Sequence, residues 1–303
     1  MDNPGQHTSS TSLSLASKVK DYFLLIKFTL SFTVVFSCVV CFLLTPKNGY
    51  DWWMITVIFV AGMLVTGSAN AINQAVEKDT DAMMKRTGTR PVASGRMSQN
   101  EAFTFAAIAG GLGVIMMWHF FNLSSALISA FSLFLYAFIY TPLKKINSIA
   151  VLVGAFPGAL PCLIGWVAGF YNQPITWTGG LILFGIQFLW QFPHFWAIAW
   201  VAHQDYSKAG FKLLPADKGP TKFTAVQAIM YSVLMIPVGI LPKLFGMTGN
   251  ISLWIVLACN LFMVVQSIRL YKEMDVKAAR RVMFSSYIYL PIVLLALLAD
   301  KIL

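Results

Sequence analysis

Apolar residues gather in nine long blocks, near 23–44, 53–75, 100–120, 123–141, 147–170, 176–200, 223–244, 250–268 and 282–300, parted by short polar stretches. A helix needs about 20 mainly apolar residues to cross a bilayer. The blocks have that length, and their hydrophobicity is continuous, whereas a transmembrane barrel strand alternates over about 10 residues. Only helices and closed barrels satisfy their backbone polar groups in lipid. The pattern therefore predicts an all-α, polytopic membrane bundle of about nine transmembrane helices.

Composition agrees. The chain is 57% hydrophobic and 11% charged, against about 25% charged in a typical soluble domain. Residues 1–20 are polar and rich in Ser and Thr and lack the apolar core of a signal peptide. They read as a disordered cytoplasmic tail, with residues 21–303 forming one intramembrane domain. Two segments between blocks are long, about 77–99 and 201–222; each mixes acids with Lys and Arg and follows an even-numbered helix, which hints at a duplicated four-helix unit.

The net charge of +10 would suit nucleic acid if it were patched, but its placement follows the membrane. Of 22 Lys and Arg, only Lys47, Lys243 and Lys301 fall on one side; the rest flank the alternate, cytoplasmic side by the positive-inside rule. The partner is thus a lipid bilayer and no nucleic acid. The amino terminus is placed inside, the carboxyl terminus outside, and the functional loops on the cytoplasmic side. The absence of an Arg-rich amphipathic presequence favours a bacterial inner (plasma) membrane, multi-pass.

The first long loop carries the clearest chemistry. Asn73, Glu77 and Asp81 recur every four residues at the end of the second block, a spacing that stacks them on one helical face, with Asp79 pointing away. Carboxylates of this kind together with phosphate oxygens make a common Mg²⁺ environment. Lys85, Arg86 and Arg90 follow at once, and guanidinium groups suit phosphate oxygens. Mg²⁺ and Arg/Lys together can neutralise the charge that develops on a departing diphosphate. The same residues could also be loop cations that merely pair with their neighbouring acids.

Cys38, Cys41, Cys162 and Cys259 lie inside apolar blocks and read as packing residues. Trp190, Phe192, Phe195, Trp196 and Trp200 form an aromatic band suited to a flat apolar ligand or to interfacial anchoring. His119 reads as interfacial, His203 as a loop histidine within reach of phosphate or solvent, and His7 falls in the tail. The glycines and prolines of the fifth block, Gly154 to Gly169, permit close helix approach.

The run from Asn73 to Pro91, NQAVEKDTDAMMKRTGTRP, resembles the first aspartate-rich motif of the UbiA-type intramembrane prenyltransferases, and more closely the protohaem IX farnesyltransferase (haem O synthase) branch. Met84-Lys85-Arg86-Thr87-Gly88-Thr89-Arg90-Pro91, Trp190 to Trp200, Asp205-Tyr206-Ser207-Lys208-Ala209-Gly210 and Tyr140-Thr141-Pro142-Leu143-Lys144-Lys145 carry the likeness. It implies an Mg²⁺-dependent prenyltransferase that moves the farnesyl group of farnesyl diphosphate to a vinyl group of haem B, giving haem O, with possible hand-over to terminal oxidase assembly.

Carried over by position, the resemblance makes Asn73, Glu77, Asp81 and Asp205 the metal-diphosphate residues and Arg86, Arg90, Lys144, Lys208 and Tyr140 the diphosphate contacts. It makes His194 and Trp196 the haem side: His194, in Pro193-His194-Phe195-Trp196 near the cytoplasmic end of the sixth block, is the best-placed imidazole for the haem iron, with hydrogen bonding to a neighbouring helix or a propionate as the alternative. Two departures stand out: Glu77 replaces the commoner Asp, and Ala209 stands where other branches place another Asp, with Asp217 a weak substitute. The rival readings are a prenyltransferase with an aromatic quinone or chlorophyll precursor as acceptor, a secondary transporter, and a non-catalytic haem-handling protein.

Overall fold

The computed structural model describes residues 15–46, 51–216 and 219–302; His7, Lys47, Asp217 and Lys218 lie outside them. Among the described residues eight helices are long and apolar enough to span, and a bent pair taken as one span makes a ninth. The nine-helix expectation therefore holds, and among the described residues no strand forms beyond an isolated bridge between Thr248 and Lys301.

The bent pair is α1 (Leu15–Leu25) and α2 (Phe28–Leu43), which meet at 51°. Lys27 makes the bend: it takes left-handed φ 47° and ψ 59° at the head of α2, a conformation a non-glycine residue rarely adopts. Residues 15–20, expected in the disordered tail, are already helical as the first turns of α1. Lys18 of that helix pairs with Glu101 at 2.9 Å, and Asp21 takes Arg96 at 3.0 Å, so α1 is tied down across the first long loop.

Helix α3 (Trp52–Val76) starts on Asp51, whose carboxylate accepts from the amides of Trp53 and Met54 and so caps it. It breaks at Glu77 and resumes as the short α4 (Lys78–Met83). Helix α5 (Gln99–Phe120) begins on Ser98, whose hydroxyl caps it by accepting from the Glu101 amide at 3.0 Å. It packs closely on α3 through Gly110 and Gly113, where a Cβ would lie 2.7 Å from Ser68 Oγ and 3.0 Å from the Ala61 carbonyl.

The next span, Leu123–Leu143, is α-helical over Leu123–Phe134 (α6), widens to a π-helix over Leu135–Tyr140, and ends as one α turn, Thr141–Leu143 (α7). Helix α8 (Ala150–Ala168) is the central post, with 78% of its apolar window buried inside the protein. Pro157 and Pro161 interrupt its hydrogen-bond ladder. The Pro157 carbonyl that Pro161 cannot bond accepts from Ser132 Oγ at 3.3 Å. Gln191 and Gln187 of α9 donate to the Ala155 and Gly158 carbonyls at 2.9 and 2.7 Å. The Ser132 bond thus re-satisfies a carbonyl that a proline frees inside the bundle, as lipid requires, while the two glutamines tie α9 to α8. Gly165 lets α2 press against α8: a Cβ there would stand 1.9 Å from the Cys38 carbonyl oxygen.

Helix α9 (Trp177–Val201) leads through α10 (His203–Lys208) to α11 (Lys222–Leu244), α12 (Asn250–Glu273) and α13 (Val276–Ala299). At the end away from the long loops, Lys301 Nζ donates to the Leu43 and Thr45 carbonyls at 3.0 and 2.6 Å. Beside it the Ser252 amide donates to Asp300 at 2.7 Å and holds that carboxyl below its usual range.

Candidate active site

The two long loops meet at one end of the bundle. Helix α3 ends there with Asn73 and Gln74 buried, and Glu77 at its break remains only 5% exposed. Asp81, one turn further, keeps its amide on the Glu77 carbonyl at 2.7 Å, so the broken helix still directs Asn73, Glu77 and Asp81 inward. Asp79 is exposed, as its position on the helix predicts.

Each polar group of the triplet meets a cation. Lys27 Nζ donates to Asn73 Oδ1 at 2.9 Å. Lys144 Nζ stands 2.6 Å from Glu77 Oε1, with both side chains below a tenth exposed. Arg90 Nη1 reaches both Asp81 oxygens, at 2.8 and 2.7 Å. Lys144 also faces the Tyr140 ring at 4.7 Å and the Phe211 ring at 5.6 Å, two cation–π contacts in a dry setting. The result is a file of three cations against two carboxylates and an amide, with net positive charge left for an anionic ligand.

The second loop closes over the first. Arg86 Nη2 donates to Tyr206 Oη at 3.1 Å, and its guanidinium lies over the same ring. Met84, Ala209 and Phe211 make a small shared core. The Lys212 amide donates to the Lys144 carbonyl at 2.8 Å, joining the loop to the residue that holds Glu77.

The expected residues are therefore only partly gathered. Asn73, Glu77, Asp81, Arg90, Lys144 and Tyr140 converge. Arg86 is exposed at the loop contact, and Lys208 is exposed on α10. Asp205 is half-buried and carries no ion pair among the described residues, but it does not join Glu77 and Asp81 as a third carboxylate: no three His, Cys, Asp or Glu side chains there form a metal-holding group. The four-residue metal set is thus not assembled.

Mg²⁺ asks for less than that set, since it commonly takes one or two carboxylates, with substrate phosphates and water completing its shell. Lys144 approaches Glu77 Oε1 outside hydrogen-bonding geometry, so that buried oxygen is charge-paired yet has no hydrogen bond; the buried Asn73 Nδ2 also lacks a partner. Glu77 and Asp81 thus fit the ion.

The haem pair separates outright. His194 faces α13, where its Nδ1 is 2.8 Å from Ser286 Oγ. Trp196 faces α11, packed on Tyr231 with Phe192. Residues two apart on a helix point about 200° away from each other, so the two cannot line one face. His203 lies beside Ser207 in the second loop.

Lys27 was missed as a site residue because it counted only as a topology cation. The signal was present: a lone lysine in Leu24-Leu25-Ile26-Lys27-Phe28 is an ionisable residue inside an apolar block, which is functional by default.

Residues 34–289 match the UbiA prenyltransferase family. The chain belongs to this family. A protein named protoheme IX farnesyltransferase from Cytophaga hutchinsonii is 45% identical over 95% of this chain and 100% of its own length. A protein of the same name from Flavobacterium johnsoniae is 39% identical over 98% and 99%. Among solved structures, one described as digeranylgeranylglyceryl phosphate synthase superposes with a TM-score of 0.78 at 23% identity, covering 93% of this chain and 98% of its own. A UbiA homolog from Archaeoglobus fulgidus bound to GPP and Mg²⁺ gives 0.65 at 12% identity, covering 91% and 99%. At those identities the two structures bear on the fold alone, and on that this UbiA-family chain and its neighbours agree.

Proposed function

We propose that the chain is a haem O synthase of a bacterial inner membrane, transferring the farnesyl group of farnesyl diphosphate to a vinyl group of haem B. The observation that carries this reading is the 45% identity, spread over nearly the whole chain, with a protein named for that reaction. The cation file on Asn73, Glu77 and Asp81 supports the donor half. The functional end is the cytoplasmic one, by the distribution of Lys and Arg.

Lys144, Arg90 and Lys27 bind and orient the diphosphate by exchanging their carboxylate and amide partners for phosphate oxygens. Arg86 adds a donor from the loop contact, with Lys208 beside it on α10. Glu77 and Asp81 would hold Mg²⁺, with Asn73 beside them and Asp205 standing apart on the second loop; when bound, Mg²⁺ neutralises charge on the diphosphate oxygens. The C1–O bond of the donor breaks and its electron pair leaves with the diphosphate, where the cations stabilise it. The vinyl π pair forms the new carbon–carbon bond to C1, and water adds to the resulting cation and loses a proton, giving the hydroxyethylfarnesyl side chain. Tyr140 and Phe211 screen Lys144 from solvent while it holds the leaving group. The product is suited to hand-over toward terminal oxidase assembly.

The test is the purified protein in lipid with haem B, farnesyl diphosphate and Mg²⁺. Haem O by mass, with diphosphate released in equal amount, is expected. Prenylation of an aromatic quinone precursor instead would overturn the acceptor, and release of no diphosphate with any acceptor would overturn the enzyme.

A further inference from the structure

His194 is nine-tenths buried two turns from the end of α9, and its ring is held on several sides. Trp190 stacks on it at 4.6 Å, and Phe195 and Tyr287 each meet it at 5.3 Å. Trp190 is itself fixed, its indole N–H donating to the Ser286 carbonyl at 2.9 Å. Ser286 therefore contacts both rings, one through its backbone and one through its side chain.

The hydroxyl decides which nitrogen of the imidazole carries the proton. A serine has one O–H to donate. Ser286 Oγ gives it to the Met283 carbonyl at 2.6 Å, one turn back on α13. Toward His194 it can then only accept, so the Nδ1 that stands 2.8 Å away must be the N–H. A neutral imidazole protonated at Nδ1 has its lone pair at Nε2. That Nε2 has no hydrogen-bond partner among the described residues.

A buried imidazole whose Nδ1–H is spent on a neighbour and whose Nε2 is bare is the arrangement that metal-ligating histidines use, the second nitrogen being anchored to fix tautomer and ring orientation. The site also adjoins the donor end: His194 lies two turns before the end of α9, which leads into α10, and Tyr206 of α10 takes the Arg86 guanidinium. We propose that His194 Nε2 ligates the iron of the haem substrate and that Ser286 is the positioning residue that makes Nε2 available. This rests on the haem reading above and deepens it, replacing the expected His194 and Trp196 pair with His194, Ser286 and Trp190. The role requires no bond to form or break beyond iron coordination, and it orients the porphyrin relative to the diphosphate clamp.

The experiment titrates ferric haem B into the full-length protein in lipid nanodiscs and follows the Soret band. Wild type is expected to give an imidazole-ligated spectrum. H194G should lose it and regain it on adding free imidazole, which fills the space left by the ring. S286A should keep the same spectral type but weaken haem binding by about 10–100-fold, the usual cost of removing such an anchor. Stabilisation by farnesyl diphosphate with Mg²⁺, read by thermal shift, serves as the folding control and should persist in both variants. Identical spectra for wild type and H194G would overturn iron ligation, and unchanged affinity in S286A would overturn the positioning role. Should the wild type farnesylate haem while showing no imidazole-ligated spectrum, this inference falls and the proposed function stands. Should it release diphosphate only with a non-haem acceptor, the proposed function falls instead.

Discussion

Replacing Lys144 by Met removes the counter-charge of Glu77 while keeping an apolar stem between Tyr140 and Phe211. The two charged atoms are 2.6 Å apart and both side chains are under a tenth exposed. At an effective dielectric near 20, two unit charges at that separation attract by about 6 kcal/mol. Taking both out of water costs several kcal/mol each, so the intact pair contributes little net stability. Removing one partner is different, because the desolvation of the other is left unopposed. Glu77 Oε1, which has no hydrogen bond, would then be a stranded charge, and K144M should cost about 3–5 kcal/mol. The double variant K144M/E77Q should recover most of that loss. The internal control is Arg281–Glu273, whose side chains are each 42% exposed; R281M should cost about 0–1 kcal/mol. Reversible unfolding in lipid or detergent, with K144M, E77Q, K144M/E77Q and R281M compared under one condition, reads the ordering. If K144M falls no further than R281M, or if the two substitutions add without recovery, the buried pair is not what holds Glu77.

Asp81→Asn should reduce farnesyl transfer by about 100-fold or more, the scale of losing a group that acts on developing charge, whereas R90K should spare part of the activity by keeping the cation; product formation against time separates them. Lys27→Met removes the donor to Asn73 Oδ1 and should raise KM for farnesyl diphosphate about tenfold, since hydrogen bonds involving a charged group are worth about 1.5–3 kcal/mol. Gly165→Ala sets a Cβ against the Cys38 backbone, which cannot swing aside, and should cost about 1–3 kcal/mol or more. Gly111→Ala, with nothing within 4 Å, should instead gain up to about 1 kcal/mol from helix propensity; thermal stability in detergent compares the pair. The depressed Asp300 pKa adds stability above the unfolded carboxyl value of about 3.9, and this is lost as pH falls through the lower folded value. D300N should therefore flatten the acid limb of a stability–pH profile.

The spans were legible because lipid admits few backbone solutions and sets their length, so blocks such as 53–75 and 176–200 translate almost directly into α3 and α9. The Lys27 bend was not legible: Leu24 to Phe28 contains neither Gly nor Pro, and only packing against Asn73 explains why the chain turns there. The triplet Asn73, Glu77, Asp81 could be read because its members share one helix. Their partners could not, because Lys144 is separated from Glu77 by a helical hairpin whose docking is a tertiary fact. Arg90, read as a phosphate clamp, rests on Asp81 in the structure for the same reason: a loop cation's partner depends on how the loop folds back. The split of His194 from Trp196 was within reach of the sequence, since i, i+2 spacing already puts the two on opposite sides of a helix.

The π-helical stretch Leu135–Tyr140 has a consequence for how the site can vary. A single π turn is an α-helix carrying one surplus residue, which the wider turn absorbs so that the helix beyond keeps its phase. Lys144 lies just past that stretch, so deleting one residue between Leu135 and Tyr140 would let the turn close to an α-helix with the ammonium still aimed at Glu77, whereas the same deletion in a regular α-helical stretch would swing it by about 100°. The span would still cross the bilayer and its composition would barely change. The wide turn is slack placed just ahead of the lysine: losing one residue there is absorbed locally, whereas losing one from α6 would be as silent to hydropathy yet would misdirect the charge at the site.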